Sequence, residues 1–334
     1  MTRIKSQARK RLDKRLSYQE LADKHYAAIE SSKLPGLVDR AVKSVERKQG
    51  RSSQSRTVLF LSDIHDGSTT AVCSEKPVKG DGSYNPNSLQ QKLYEFWCST
   101  RDKCPKPHAL VLNGEPCDGS NVKQAGESTW TTVIREQLSD AYKLLKMYSP
   151  KYFLMTRGSN YHVQSGADNM EEQLARELGA VPYRGLFEVE RDVEYHTVRT
   201  DYFLNFKING KVFSVTHHLG FNRWFAYRTT ALAREMADME FLRGKYWDNE
   251  DTPSVVVRSH VHYFVLVRFA SMTGFTTAAW KMPDGHLFRG GLGGTAPSIG
   301  SVEVVIEQNG DINVHPHIIS NTQYPKHKIL DLSD

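Results

Sequence analysis

Two hydrophobic periodicities alternate along the first two-thirds of the chain. Val58-Leu-Phe-Leu61, Ala109-Leu-Val-Leu112 and Tyr152-Phe-Leu-Met155 are short unbroken apolar runs, the pattern of strands buried on both faces. Between them the apolar spacing lengthens to three and four residues. Leu89, Leu93, Phe96 and Trp97 mark one helix, closed by Pro105. Trp130, Val133, Ile134, Leu138, Ala141, Leu145 and Tyr148 mark a longer one, and Met170, Leu174 and Leu178 a third with Gly179 behind it. Three β-α units in succession predict a sheet with parallel strands covered by helices on both faces.

Strands dominate the remainder. Phe203–Ile208 and Val212–Val215 flank Asn209-Gly210, and Val302–Ile306 and Ile312–His317 flank Asn309-Gly310. Each dipeptide suits the left-handed conformations of a two-residue hairpin turn. A helix is expected from about Arg223 to Leu242, and Val255–Val257 and Phe264–Phe269 flank a polar tip.

Residues 1–56 read differently. Ser17-Tyr-Gln-Glu20 has the spacing of a capping box opening a helix through about Ser31. Pro35 suits the first turn of a second helix, striped by Leu37, Val38, Ala41, Val42 and Val45. The polar run Gln49–Arg56 is a linker. The expected organisation is a basic helical N-terminal extension over 1–56 and one large domain over 57–334. The stripes offer a surface for docking on the main body or for an oligomer.

Charge sharpens that division. The net charge of +6 comes from the first 56 residues, where 15 Lys/Arg face six Asp/Glu; the rest is acidic by three. Such a segment either lies along a polyanion such as DNA or RNA or is a solvated arm. The mean hydropathy of −0.53 and the lack of a roughly 20-residue apolar run exclude a spanning helix, so no membrane partner is expected. Asp13, Glu20 and Asp23 argue against a transit peptide, and the start lacks a secretory signal's apolar run. Cys73, Cys98, Cys104 and Cys117 form no CxxC pair. They read as reduced thiols of a cytoplasmic protein.

The candidate chemistry has one address, just beyond the apolar strands. Asp63-Ile-His65 follows the first and Gly114-Glu115-Pro-Cys-Asp118 the second. Gly158-Ser-Asn160-Tyr-His162 follows the third, and His217-His218 and His260-Val-His262 follow Val215 and Val257. In open α/β sheets ligands bind at the carboxyl ends of strands. If these segments are extended, Asp63/His65 and His260/His262 each present two side chains to one side. Imidazole, carboxylate and amide donors together suit Mn, Zn or Fe rather than Ca or Mg. With one carboxylate shared, the set is large enough for two ions about 4 Å apart, the spacing of paired metals in phosphoester hydrolysis.

At these clusters, over roughly residues 56–270, the chain resembles the calcineurin-like metallophosphoesterase superfamily, phage-borne members above all. That family's run is D-x-H, GD-x-x-D, GNH[DE], a lone His after a strand, then GHxH. Asp63/His65 match the first element and Ser259-His260-Val261-His262 the last, with Ser for Gly. Two positions depart: Glu115 stands where the family has its bridging Asp, and Tyr161 separates Asn160 from His162.

The resemblance implies an α/β fold, a β-sandwich with mixed sheets flanked by helices. It also implies two divalent ions of unknown identity. Asp63, His65, His262 and Glu115 would hold one; Glu115, Asn160, His217 and His260 the other, with Ser159 the rival of Asn160. A hydroxide activated by the pair would attack phosphorus, with His162 serving the leaving oxygen. Asp118 would orient a ligand histidine, and Arg157 is a candidate substrate contact. Between His217 and His218, the former is favoured as ligand because it directly follows its strand. The expected activity is phosphodiester hydrolysis, with nucleic acid as substrate. The alternatives are a phosphomonoesterase or small-molecule phosphodiesterase, and a metal- or nucleic-acid-binding module without turnover.

Other features read as structure. His196, His286, His315 and His317 lack the strand-end setting. Gly290-Gly-Leu-Gly-Gly294 lacks the Lys-Ser/Thr of a phosphate loop and reads as a loop near the site entrance. Trp224, Phe225 and Tyr227 could stack on a nucleobase, but core packing is the favoured reading.

Overall fold

The computed structural model describes residues 54–120, 126–159, 162, 169–183, 198–222, 224–242, 251–285 and 296–319. The helices expected in the N-terminal segment, Asn160, His196, His286 and the glycine run at 290–294 lie outside the described residues.

The chain enters through β1 (Arg56–Leu61) and a small hairpin of β2 (Val78–Lys79) and β3 (Gly82–Ser83). It continues through α1 (Ser88–Lys103), β4 (Ala109–Asn113), α2 (Ile134–Lys146), β5 (Tyr152–Thr156) and α3 (Met170–Leu178). β6 (Thr200–Asp201), β7 (Phe203–Ile208), β8 (Lys211–Thr216) and α4 (Thr230–Phe241) follow. β9 (Val255–Arg258), β10 (Leu266–Arg268), β11 (Thr273–Thr276), β12 (Gly300–Ile306) and β13 (Ile312–Ile318) complete it. The first sheet runs β13-β12-β1-β4-β5-β6, the second β10-β11-β9-β8-β7. In the first, β1, β4 and β5 are parallel neighbours while β12 pairs antiparallel to β1. In the second, β8, β9 and β11 are parallel, and β7 and β10 are antiparallel edges.

Alternate side chains of the apolar runs serve two cores. Leu59, Leu61, Leu110, Leu112, Phe153 and Met155 face Trp97, Leu138, Leu145 and Leu174 of α1, α2 and α3. Val58, Phe60, Val111 and Leu154 face Phe213, Val215, Val255, Val257 and Phe275 of the other sheet. Leu232 and Met236 of α4 cover that sheet's outer side at Val256 and Met272. The result is an α/β sandwich of two mixed sheets flanked by helices. Helices on both faces of the first sheet is therefore incorrect: one face meets helices and the other meets β-sheet. A strand buried on both faces has the same residue pattern whichever element covers it.

Smaller departures have local causes. Trp130 precedes the second helix, which begins at Ile134. The expected Arg223–Leu242 helix is a 3₁₀ turn at Phe225–Tyr227 followed by α4. β9 and the Phe264–Phe269 segment do not pair; β11 lies between β9 and β10. Both Asn-Gly hairpins are present, with Asn209 and Gly210 at φ of 47° and 76°. All four cysteines are unpaired, and none of the described helices is long and apolar enough to cross a membrane.

Candidate metal centre

Because β1, β4 and β5 are parallel, their carboxyl ends share one edge, and β8 and β9 bring theirs to the same place. Asp63, His65, Glu115, His217, His260 and His262 meet there, mostly buried. Turn geometry, not strand alternation, aims them. Asp63, His65, Glu115, His260 and His262 all have positive φ, between 49° and 73°, and among the described non-glycine residues only Ser128 and Asn209 share it. The extended i, i+2 geometry expected for Asp63/His65 and His260/His262 is thus corrected to left-handed turns. Each such residue costs of order 1 kcal/mol or more and persists only where its surroundings hold it. Here neighbouring loops do so: Asp63 N–H donates to Gly114 O and His65 N–H to Glu115 O, while Asp63 O accepts from Trp280 N–H and His262 O from Ser298 N–H.

Glu115 is central. Its Oε2 lies 3.0 Å from His65 Nε2, and its Oε1 lies 3.3 Å from His217 Nε2 and 4.0 Å from His260 Nδ1. Asp63 Oδ1 lies 3.3 Å from His262 Nε2 and 3.9 Å from His217 Nε2. Two donor groups, Asp63/His65/Glu115/His262 and Glu115/His217/His260, are joined at Glu115, and a third, His65/Asp118/His162, adjoins the first through His65. Of the resemblance-implied ligands only Asn160 falls outside the described residues. Ser159, its rival, donates to Glu115 Oε1 from its hydroxyl and from its amide at 3.2 Å.

The surrounding groups orient these donors. His65 Nδ1 is 3.2 Å from Asp118 Oδ1, and His217 Nδ1 donates to Asn113 O at 2.7 Å, so both rings turn Nε2 inward. His162 Nδ1 donates to Asp118 O at 2.8 Å, and its ring meets that of His65 edge-on at 4.5 Å. His218 is exposed, its ring 4.6 Å from that of His260, leaving the inner place to His217. Arg157 is engaged elsewhere: its Nε donates to Thr200 Oγ1 and its guanidinium covers the Tyr202 ring. His317 pairs with Glu303 at 2.8 Å in the terminal hairpin, a structural role.

Two buried residues were not found from sequence. Lys281 Nζ donates to Asp118 Oδ1 at 2.8 Å and pairs with Asp284 at 3.1 Å, fixing the carboxylate that holds His65. Glu171, in the first turn of α3, accepts from the amides of Glu115 at 3.1 Å and Gly158 at 3.0 Å. It ties the second and third motif loops together, and burial raises its carboxyl to about 7. Neither belongs to a motif, and an acidic residue in a helix's first turn ordinarily reads as dipole stabilisation.

No protein-family model matches the chain, and no curated protein does. Solved structures similar to it include Vps29 from Entamoeba histolytica complexed with Zn²⁺, at 9% identity over 78% of this chain and 98% of that one, with a TM-score of 0.34. An archaeal phosphodiesterase matches at 11% over 78% and 99%, TM-score 0.36. YfcE, a phosphoesterase from E. coli, matches at 14% over 77% and 96%, TM-score 0.32. The likeness is one of fold alone.

The donor set itself fits divalent cations. Asp63 Oδ1, His217 Nε2 and His260 Nδ1 are buried with no hydrogen-bond partner, an arrangement that costs about 1–3 kcal/mol per group unless something else satisfies it. Burial opposes charge on Glu115, yet His217 and His65 hold its carboxyl well below the usual range. Burial likewise disfavours a charged His217, but Glu115 and Asp63 outweigh it and lift the imidazole to about 10. The two carboxylates thus demand positive charge at the spot where the ring nitrogens converge. Gly158 leaves the room required, since a Cβ there would stand 2.5 Å from Glu115 Cγ and 2.8 Å from its amide nitrogen. Gly158→Ala is expected to displace Glu115 and weaken metal binding at least tenfold, of the order seen when supporting groups are lost; titration with Mn²⁺ followed by calorimetry measures it.

Proposed function

We propose that the protein is a metal-dependent phosphodiesterase acting on nucleic acid. The observation that carries this is Glu115, whose two oxygens each serve a different group of inward-facing imidazoles. Asp63, His65, His262 and Glu115 would hold one ion, and Glu115, His217 and His260 the other, with Asn160 the amide donor expected from sequence. Two divalent ions there would withdraw charge from phosphoryl oxygens and make water acidic enough to act as nucleophile near neutral pH.

The chain's own residues do the rest. Glu115 and Asp63 set the spacing between the two donor groups. Lys281 and Asp118 hold the His65 ring in one orientation, so that its metal-facing nitrogen needs no reorganisation. His162, fixed through Nδ1 on the Asp118 carbonyl, offers its opposite edge to the leaving oxygen. Burial and the neighbouring His65 lower its imidazole to about 4, so it rests neutral with Nε2 unprotonated. To serve the leaving oxygen it takes up a proton at Nε2 from solvent, helped by the anionic phosphate beside it, and passes that proton on as the ester bond breaks. The nucleic-acid assignment draws on the surplus of Lys/Arg in residues 1–56, which favours a polyanion, and is compatible with a cytoplasmic enzyme.

Hydrolysis of bis-p-nitrophenyl phosphate should exceed that of p-nitrophenyl phosphate when Mn²⁺ is supplied. A strong preference for the monoester would overturn the nuclease reading. Full metal occupancy with no turnover of either ester would make the protein a binding module.

A further inference from the structure

The favoured reading of Trp224, Phe225 and Tyr227 as core residues does not hold. They are 64%, 84% and 58% exposed, and Phe221 just before them is 47% exposed. Four large aromatics within seven residues face solvent on the segment that follows the metal-site residue His217. An exposed apolar group of this density marks a binding surface more often than a solvated one.

Beside it lies a cavity of about 160 Å³ that shares His260 and His262 with the metal centre. Phe221, Tyr263, Pro283 and Pro297 give it flat apolar walls, and Lys281 reaches it from the Asp118 side. The Phe221 and Tyr263 rings lie 6.2 Å apart at 48°. Arg228 also lines it, with its guanidinium 4.6 Å from the Tyr263 ring and 5.3 Å from that of Phe225. No described carboxylate pairs with Arg228, and its Nε is buried without a hydrogen-bond partner.

Each property narrows the occupant. Cavities near 150 Å³ accept a single aromatic ring, so the space suits one planar group and not a folded segment. Flat aromatic and proline walls favour a π-face, and a planar ring stacks on such walls with little sequence preference. A stacked, unpaired guanidinium supplies donors to carbonyl oxygens on the edge of that ring. Opening onto His260 and His262 means that the occupant also carries the reacting phosphate. A second protein copy or an aliphatic chain would meet the walls but leave Arg228 unanswered.

We infer that this cavity binds the nucleobase adjoining the scissile phosphate, which makes the substrate a nucleotide or an unpaired strand. The inference rests on the phosphodiesterase reading for the phosphate's position, and the test separates the two. Full-length protein with Mn²⁺ is titrated calorimetrically with thymidine 5′-monophosphate and, separately, with 2-deoxyribose 5-phosphate, which lacks only the base. The nucleotide should bind about tenfold more tightly, as expected for one base stacked on an aromatic platform. Phe221→Ala should reduce that preference below about twofold, in line with loss of the stack, whereas Phe221→Tyr should keep it. Equal affinities in the unsubstituted protein, or a preference untouched by Phe221→Ala, would overturn the inference. Loss of self-association in Phe221→Ala with the base preference intact would assign the aromatics to a protein interface and overturn it too. Bis-p-nitrophenyl phosphate hydrolysis is read in parallel. Its absence with an intact base preference removes the phosphodiesterase reading and leaves the nucleobase site standing.

Discussion

Glu115→Gln is expected to abolish activity and to remove metal from both donor groups at once. The substitution preserves volume but takes away the charge that His65 and His217 face at 3.0 and 3.3 Å. Losing one ligand of an ordinary mononuclear site affects one ion. Losing a carboxylate common to two groups affects both, so metal content measured by mass spectrometry should fall from about two equivalents toward none. Activity should drop by at least 10²–10³, the scale set by removing a single charge-stabilising group. Circular dichroism should be unchanged, because the two cores lie behind the site. Retention of one full equivalent would mean that Glu115 serves a single ion.

His162→Ala is expected to separate binding from turnover. His162 touches His65 edge-on and the Asp118 carbonyl, but it belongs to neither of the two donor groups joined at Glu115. Metal content should therefore stay at the unsubstituted level while kcat on bis-p-nitrophenyl phosphate falls by about 10²–10⁴, the usual contribution of a positioned proton donor or acceptor. KM should change little, since the proposed interaction strengthens as charge develops on the leaving oxygen. Loss of metal in this variant would assign His162 to coordination instead.

Much of this was legible in the chain because strands buried on both faces must be apolar throughout. Val58–Leu61, Ala109–Leu112 and Tyr152–Met155 therefore announce themselves, and the polar residues immediately after them stand out. The covering partner was not legible from the same residues: Phe60 facing Phe213 across to the second sheet and Leu59 facing the helices look alike in sequence. β11 escaped notice because Thr273-Gly-Phe-Thr276 has one large apolar residue; its burial comes from its place between β9 and β10. Gly274 there makes room for the Met236 sulfur, which a Cβ would meet at 2.2 Å. Strand-end placement brought Asp63, His65, Glu115, His217, His260 and His262 to notice, but the left-handed turns that aim them depend on contacts with other loops. Lys281 and Glu171 act through a few contacts distant in sequence, to Asp118 and to the amides of Glu115 and Gly158, and such contacts leave no periodic trace. Trp224, Phe225 and Tyr227 do not open a helix: the backbone there is a 3₁₀ turn, and those rings lie exposed.

Anomalous scattering from crystals grown with Mn²⁺ tests the shared carboxylate directly. The account predicts two peaks in the cleft between β1, β4, β8 and β9, one against Asp63, His65 and His262, the other against His217 and His260, with an oxygen of Glu115 on each. A single peak, or two that leave Glu115 bound to neither or to only one, would contradict it.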